Sequence, residues 1–344
     1  VITSGIPYQY VKEALPNASV LKLGMVNPLP RKLIEDFASK VEKLYIVEEL
    51  DPVIEEQVKS WGIKATGKEI FTVQGEYSAN MLREAILGEE LKLDAPAAAP
   101  GRPPILCPGC PHRSVYYVLN KLKMHAAGDI GCYTLGNAMP LDMVDTCLCM
   151  GAGLNIAQGV EKVEPDTTCF AFVGDSTFFA SAITGVVNAV YNQANMVLVV
   201  LDNSTTAMTG HQPHPGTGRT VMGEIVQKIN IEQVLRGIGV TEIETIKPLE
   251  LEASVSCVKR MAEKSGVRAI IFKAPCIAVT RPKAPLHVDQ DSCIGCKKCI
   301  RDLGCPAIVM NDGKICIDAS MCTGCHLCSQ VCPVCAIAGG DDHE

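Results

Sequence analysis

Two runs decide the fold: Thr168-Cys169-Phe170-Ala171-Phe172-Val173-Gly174-Asp175-Ser176 and Met196-Val197-Leu198-Val199-Val200-Leu201-Asp202-Asn203. Each is a short, unbroken apolar stretch that ends abruptly in a polar corner, as strands buried on both faces do. Residues 178–192 between them fit a connecting helix, and residues 269–273 read as the last strand of the same unit. Strand–helix–strand order predicts a parallel sheet, and loops at the carboxyl ends of such strands are where open α/β sheets bind ligands. Gly174, Asp175, Ser176 and Asn203 occupy those ends. An acid at one strand end and an amide oxygen at the next can hold Mg²⁺ beside a diphosphate. Gly151 and Gly153, before a helix at 154–160, could add backbone N–H groups to the phosphate cradle. A plain turn with a capping Asp is the other reading of the Gly-Asp-Ser corner.

This unit spans 105–284. Upstream, residues 1–91 alternate strand-like runs (1–6, 20–25, 43–50) with helical segments (31–41 and 52–61, Pro52 opening the second), which predicts a small α/β domain with a parallel sheet. Residues 92–104 are rich in Pro and Ala and read as a linker. Residues 285–344 change character: cysteines crowd together and Gly, Pro and Asp punctuate short segments.

At 344 residues, two or three domains are expected. Only 5% of residues are aromatic, so aliphatic side chains must fill the cores. No apolar run approaches the ~20 residues that span a bilayer, and no signal peptide is evident, so no membrane partner is expected. The chain opens on Val1, directly in a strand-like run, and reads as a piece of a longer protein. Net charge is −7 with Lys and Arg scattered, which argues against nucleic acid. Eighteen cysteines grouped as Cys-x-x-Cys, without a signal peptide, point to metal binding in a reducing cytoplasm rather than to disulfides.

The tail carries Cys293-x2-Cys296-x2-Cys299-x5-Cys305-Pro306 and Cys322-x2-Cys325-x2-Cys328-x3-Cys332-Pro333. The second run has the bacterial two-cluster ferredoxin spacing, and the first has two extra residues before its last cysteine. Three thiolates on one tight loop reach three irons of a cube, and the fourth iron is ligated from the other run. Cys293, Cys296 and Cys299 therefore pair with Cys332, and Cys322, Cys325 and Cys328 with Cys305. Gly295 and Gly324 permit the tight turns. Two structural zinc sites use the same ligand type, but the double run ending in Cys-Pro favours two 4Fe–4S clusters. So short and cysteine-dense a segment is too poor in core to fold well without them. Cys316 and Cys335 fall outside the pattern and read as buried thiols.

Gly174-Asp175-Ser176 through Asn203 is similar to the thiamine diphosphate motif, with Ser in place of its usual last Gly. The run Asp202-Asn-Ser-Thr-Thr-Ala-Met-Thr-Gly-His-Gln212, with a ferredoxin tail behind it, resembles the α subunits of the indolepyruvate:ferredoxin oxidoreductase family, among the 2-oxoacid:ferredoxin oxidoreductases. Asn27-Pro-Leu-Pro30 and Val47-Glu-Glu-Leu-Asp51 resemble that family's transketolase C-terminal-like domain. The resemblance covers essentially the whole chain. It implies an α/β protein in which a thiamine diphosphate-binding parallel-sheet domain follows a transketolase C-terminal-like domain and precedes a two-cluster ferredoxin-like domain. In the family a pyrimidine-binding domain comes first and supplies the activating glutamate; it has no counterpart in these residues.

The resemblance further implies Mg²⁺ ligation by Asp175, the Asn203 side chain and the Thr205 backbone carbonyl. It places Met208, Thr209 and His211 near the thiazolium and substrate, although His211 also reads as a polar loop residue and His214 as structural. Related enzymes hold a proximal 4Fe–4S cluster on four cysteines ordered like Cys107, Cys110, Cys132 and Cys276; here a Cys-x-x-Cys turn with two unrelated buried cysteines is the alternative. The implied activity is oxidative decarboxylation of an aryl 2-oxoacid such as indolepyruvate to an acyl-coenzyme A. Electrons would leave singly through the clusters to an external ferredoxin, with a second (β) subunit as partner. Another 2-oxoacid as substrate, and an electron-transfer module with no active site of its own, are the competing readings.

Overall fold

The computed structural model describes residues 1–90, 99, 101 and 103–340; most of the expected linker at 92–104 lies outside the described residues. The chain divides into two compact units, Val1–Gly101 and Arg102–Glu344.

The first unit contains β1 (Ile2–Ser4), α1 (Pro7–Ala14), β2 (Leu21–Leu23), α2 (Arg31–Ala38), β3 (Ile46–Val47), α3 (Val53–Ser60) and α4 (Ala79–Leu82). Its strands pair in parallel in the order β2-β1-β3. They are shorter than the apolar runs that predicted them. After β3, the buried Glu48 carboxylate accepts the N–H groups of Ile54 and Glu55 at 2.9 and 2.8 Å, capping α3. Glu48 therefore serves the fold.

The second unit opens with α5 (His112–Lys121), β4 (His125–Ala127), α6 (Ala152–Val163), β5 (Cys169–Gly174) and the short α7 (Asp175–Thr177). It continues through α8 (Ile183–Tyr191), β6 (Met196–Asp202), α9 (Ile231–Ile238), β7 (Glu242–Ile246), α10 (Leu251–Glu263) and β8 (Val267–Lys273). The helix expected over 178–192 begins as a π turn at Phe178–Ala182 before α8 takes over. All five strands are parallel, in the order β4-β5-β6-β8-β7. The last strand in sequence is thus internal, and β7 forms the edge.

Strand periodicity explains the unbroken apolar runs. Phe170, Phe172, Val197, Val199 and Leu201 pack to one side with α5 and α10 residues such as Val115 and Val258. Ala171, Val173, Leu198 and Val200 pack to the other with Leu154 of α6, Val186 of α8 and Leu235 of α9. Every position in β5 and β6 is buried.

The tail adds β9 (Leu286–Val288), α11 (Lys298–Arg301), β10 (Ile308–Asn311), β11 (Lys314–Ile317), α12 (Leu327–Val331) and β12 (Ile337–Gly339). β9 pairs with β12 and β10 with β11, both antiparallel. Its two cysteine loops are conformational twins: Gly295 and Gly324 have φ of +66° and +67°, and Lys297 and His326 follow at +58° and +57°. Leu286, Leu303, Ile308, Ile315, Leu327, Val331 and Ile337 belong to the same core as Phe170 and Phe172. A segment too short for a core of its own borrows one from the sheet. Two cysteines outside the motifs depart from expectation. Cys335, left-handed (φ +53°) after the Cys-Pro turn, is exposed, and Cys316 in β11 is only half-buried. Among the described residues, no helix is long and apolar enough to cross a membrane.

Candidate active site and cysteine centres

β5 and β6 lie side by side in register, with Gly174 opposite Leu201, so their carboxyl ends deliver Asp175 and Asn203 to one place. Asp175 is buried and accepts the Ser176 N–H on Oδ1 at 2.9 Å. Its Oδ2 lies 3.1 Å from His214 Nε2, yet the pair falls short of hydrogen-bond geometry, and both atoms are buried without a hydrogen-bonded partner. Burial holds the Asp175 carboxyl above the usual carboxylate range, partly offset by His214. Asn203 Oδ1 accepts the Thr205 N–H at 3.2 Å. Its amide nitrogen stands 3.3 Å from Nε2 of the buried His112, whose pKa burial lowers to about 4 and which is therefore a neutral neighbour.

These strand ends floor a cleft lined by Ile130, Cys132, Tyr133, Asp175, Ser176, Asn203, Thr205, Met208 and Thr209, among others. Met208 and Thr209 line this cleft together with Asp175. His211 does not: its backbone is left-handed (φ +62°), and its side chain lines a neighbouring opening with Thr205, Gln212 and Arg219. The glycines before α6 are committed elsewhere. Gly151 gives its N–H to Asp129 Oδ1 at 2.7 Å, and Gly153 packs so closely that an added Cβ would stand 2.3 Å from the Gly128 carbonyl oxygen. Both contacts seat α6 against the end of β4. At Gly174, by contrast, a Cβ would meet the Tyr133 ring at 2.7 Å.

The sequence reading gave three of these groups no part in the site, His214 being read as structural. Asp129 is buried, with its pKa raised by burial, and accepts hydrogen bonds from Gly151 N–H and Tyr133 OH. Tyr133 OH also lies 3.3 Å from Thr177 Oγ1, tying the Asp129 loop to the turn that carries Asp175. His112 and His214 are the other two. No local pattern marks them, because each meets its partner across the fold.

Several motif cysteines lie within range of one another's charge. Cys110 senses the charges of Cys107 and Cys132, and Cys132 those of Cys276 and Cys107. Cys299 senses Cys296 and Cys332; Cys328 senses Cys325, Cys305 and Cys322. Burial is the largest cause of their shifts and pushes the Cys110 and Cys328 thiols up to about 12. Burial thus favours the protonated thiol at Cys110 and Cys328, and a bound metal centre would favour the thiolate. Cys293 also packs against the same core as Cys299 and Cys332. Backbone N–H groups of Leu286 and Ala336 point at the Cys322 and Cys332 sulfurs at 3.4 and 3.3 Å. Among the described residues, no three His, Cys, Asp or Glu side chains close on a point narrow enough for one metal ion. A four-iron cube asks for a wider spread of thiolates than zinc does.

Residues 129–272 match the family described as thiamine pyrophosphate enzyme, C-terminal TPP binding domain. A thiamine pyrophosphate enzyme C-terminal domain is present. The chain is 38% identical to indolepyruvate oxidoreductase subunit IorA of Archaeoglobus fulgidus, over 98% of this chain and 59% of that protein. It is 39% identical to the subunit IorA of Methanothermobacter thermautotrophicus, with the same coverage of both chains. The chain thus spans about three fifths of the length of the curated relatives it matches. Among solved structures, a 2-oxoglutarate:ferredoxin oxidoreductase from Magnetococcus marinus superposes with a TM-score of 0.45 at 20% identity, over 51% of this chain and 65% of that one.

The thiamine pyrophosphate enzyme C-terminal domain contains the β5–β6 corner, and the donors there suit a magnesium diphosphate. Asp175 offers an orphaned, buried carboxylate oxygen, which is costly unless a cation meets it. Asn203 and Thr205 are neutral oxygen donors, both buried. One carboxylate plus neutral oxygens is the set Mg²⁺ takes when phosphates complete its shell.

Proposed function

We propose that this chain is the cofactor-binding part of a thiamine diphosphate-dependent 2-oxoacid oxidoreductase that oxidatively decarboxylates aryl 2-oxoacids such as indolepyruvate to acyl-coenzyme A. One observation carries this reading: Cys132 lines the same cleft as Asp175 and Asn203 and also belongs to the group with Cys107, Cys110 and Cys276. A carbon-oxidising site and a one-electron acceptor would share a wall. The names of the relatives favour indolepyruvate over other 2-oxoacids.

In this reading Asp175, Asn203 and the Thr205 carbonyl hold Mg²⁺ and, through it, the diphosphate. Bound there, thiamine diphosphate supplies an electron sink for the carbon that loses CO₂. The chain's residues do the rest. His112 holds Asn203 in place and stays neutral in its buried setting. Tyr133 and Asp129 brace the turn behind Asp175. Met208 and Thr209 wall the cleft and limit water around the reacting carbon.

Cys107, Cys110, Cys132 and Cys276 hold the first 4Fe–4S cluster. The tail groups Cys305, Cys322, Cys325, Cys328 and Cys293, Cys296, Cys299, Cys332 hold two more, in a ferredoxin-like domain covering 285–344. The turn at Gly109 touches the tail loop at Thr323, an approach so close that a Cβ on Gly109 would stand 1.9 Å from Thr323 Oγ1, so a cluster held at Cys110 would have a tail cluster as its neighbour for outgoing electrons. An external ferredoxin takes them, a second subunit completes the enzyme, and the cytoplasm is its reducing setting. Residues 1–91 play the part of a transketolase C-terminal-like domain.

The test is anaerobic mixing of the whole enzyme, partner subunit included, with thiamine diphosphate, Mg²⁺, coenzyme A and indolepyruvate. Bleaching of the iron–sulfur absorbance that depends on indolepyruvate is expected. No bleaching with any of indolepyruvate, pyruvate or 2-oxoglutarate would sink the proposal, and a faster response to either of the last two would reassign the substrate.

A further inference from the structure

Arg113, in the first turn of α5 and three residues after Cys110, is almost fully buried, and the mechanism above does not use it. Its guanidinium donates to four backbone carbonyls. On one side are Leu106 O at 2.6 Å and Cys107 O at 3.3 Å; on the other are Leu303 O at 2.6 Å and Gly304 O at 2.9 Å. Its Nε has no partner, and among the described residues no carboxylate lies within ion-pair distance. A buried, unpaired cation is strongly unfavourable unless negative charge stands close by. Its neighbours show where that charge belongs. Cys107 is in the group by the cleft, and Gly304 precedes Cys305 of a tail group, so the guanidinium sits between the two cysteine loops.

We propose that Arg113 is the shared counter-charge of the two 4Fe–4S clusters on either side of it and raises the reduction potential of both. The idea rests on the three-cluster reading above. Each cube with its four thiolates is anionic, and taking up one electron, without a proton, makes it more so. A cation held in low dielectric between two such cubes stabilises the reduced form of each. In the enzyme the electron comes from substrate oxidation, and in a titration it comes from dithionite. Among the described residues, the third group, Cys293, Cys296, Cys299 and Cys332, has no buried cation hydrogen-bonded to its loops. Arg301 donates to the Cys296 carbonyl, but its side chain is exposed and its charge is screened by water. Arg113 is thus a tuning residue, acting through the clusters, and it biases the electron to stay within the enzyme until ferredoxin docks.

The experiment is an anaerobic redox titration of the whole enzyme followed by electron paramagnetic resonance, with signals assigned by Cys→Ser changes in each group. In Arg113→Gln, which can still donate to carbonyls, two of three potentials should fall. About a tenfold change in each oxidised-to-reduced ratio is expected, ~59 mV for a one-electron couple, with the third potential unmoved. Arg113→Lys should restore most of the shift. Three unchanged potentials in an Arg113→Gln enzyme with full iron and sulfide would overturn the proposal, as would an equal fall of all three. If that variant loses iron, the unmutated enzyme decides. The cluster on Cys293, Cys296, Cys299 and Cys332 should then have the lowest potential of the three, and finding it highest overturns the proposal. An unmutated enzyme with fewer than three clusters defeats the functional reading itself, before Arg113 enters.

Discussion

His214 Nε2 stands 3.1 Å from Asp175 Oδ2, with both side chains at most 5% exposed. His214 Nδ1 accepts the Gly216 N–H at 3.2 Å, which anchors the ring with Nε2 turned towards the carboxylate. The ring also stacks on Phe179 at 5.9 Å, which fixes its plane. A histidine that orients a metal-binding carboxylate is an outer-shell support of the kind whose loss weakens metal binding. His214→Ala should therefore weaken Mg²⁺-dependent binding of thiamine diphosphate by about 10- to 100-fold. Calorimetric titration of the protein with the cofactor at fixed Mg²⁺ reads this directly; unchanged affinity would make the pairing incidental.

The helix–strand contact at Gly153 leaves no room for a methyl group, and the obstacle is the Gly128 carbonyl, which cannot step aside. Gly153→Ala should destabilise the second unit by about 1–3 kcal/mol. Gly159, in the same helix, faces open space, and Gly159→Ala should stabilise by roughly 0.5–1 kcal/mol. The two urea midpoints, measured side by side, check the direction of each.

Burial raises the Asp129 carboxyl, so the folded chain holds that proton more tightly than the unfolded chain does. Its favourable contribution is complete below the unfolded value of about 3.9 and is lost as pH rises through the raised folded value. Asp129→Asn keeps an acceptor for Gly151 N–H and places an amide donor towards Tyr133 OH, without the buried charge. The variant should gain stability over the parent as pH climbs from about 4 towards neutrality. Denaturation midpoints at successive pH values would show the gap opening, and a gap constant with pH would contradict this account.

If Cys276 ligates the cluster beside the cleft, Cys276→Ser should lower iron from about twelve to about eight per chain, since each cube holds four. The signals of the tail clusters should persist. A full complement of iron in the variant would remove Cys276 from the ligand set.

Much of this molecule was legible in one dimension because its signals are local. Two unbroken apolar runs ending in Gly174-Asp175 and Asp202-Asn203 specify adjacent buried strands, and a parallel sheet leaves only one end for the ligand. The cysteine spacings of the tail encode two turns of one shape, and the twin φ values at Gly295 and Gly324 follow from them. The short strands β4 and β7 and the helices α9 and α10 left weaker traces, since three to five residues of strand carry little periodicity.

What the sequence by itself determined is therefore whatever depends on neighbours along the chain: strand and turn positions, the Asp–Asn corner and the cysteine loops. Only the tertiary structure decided which distant groups meet. It set His214 against Asp175, His112 against Asn203, Arg113 between two cysteine groups and the tail's apolar side chains on the sheet. It also spent the Gly151 and Gly153 backbone on packing and turned His211 out of the cleft. The physical reason is that each of these contacts satisfies a buried charge, polar atom or apolar face whose partner lies far away in sequence, and spacing carries no record of such pairs.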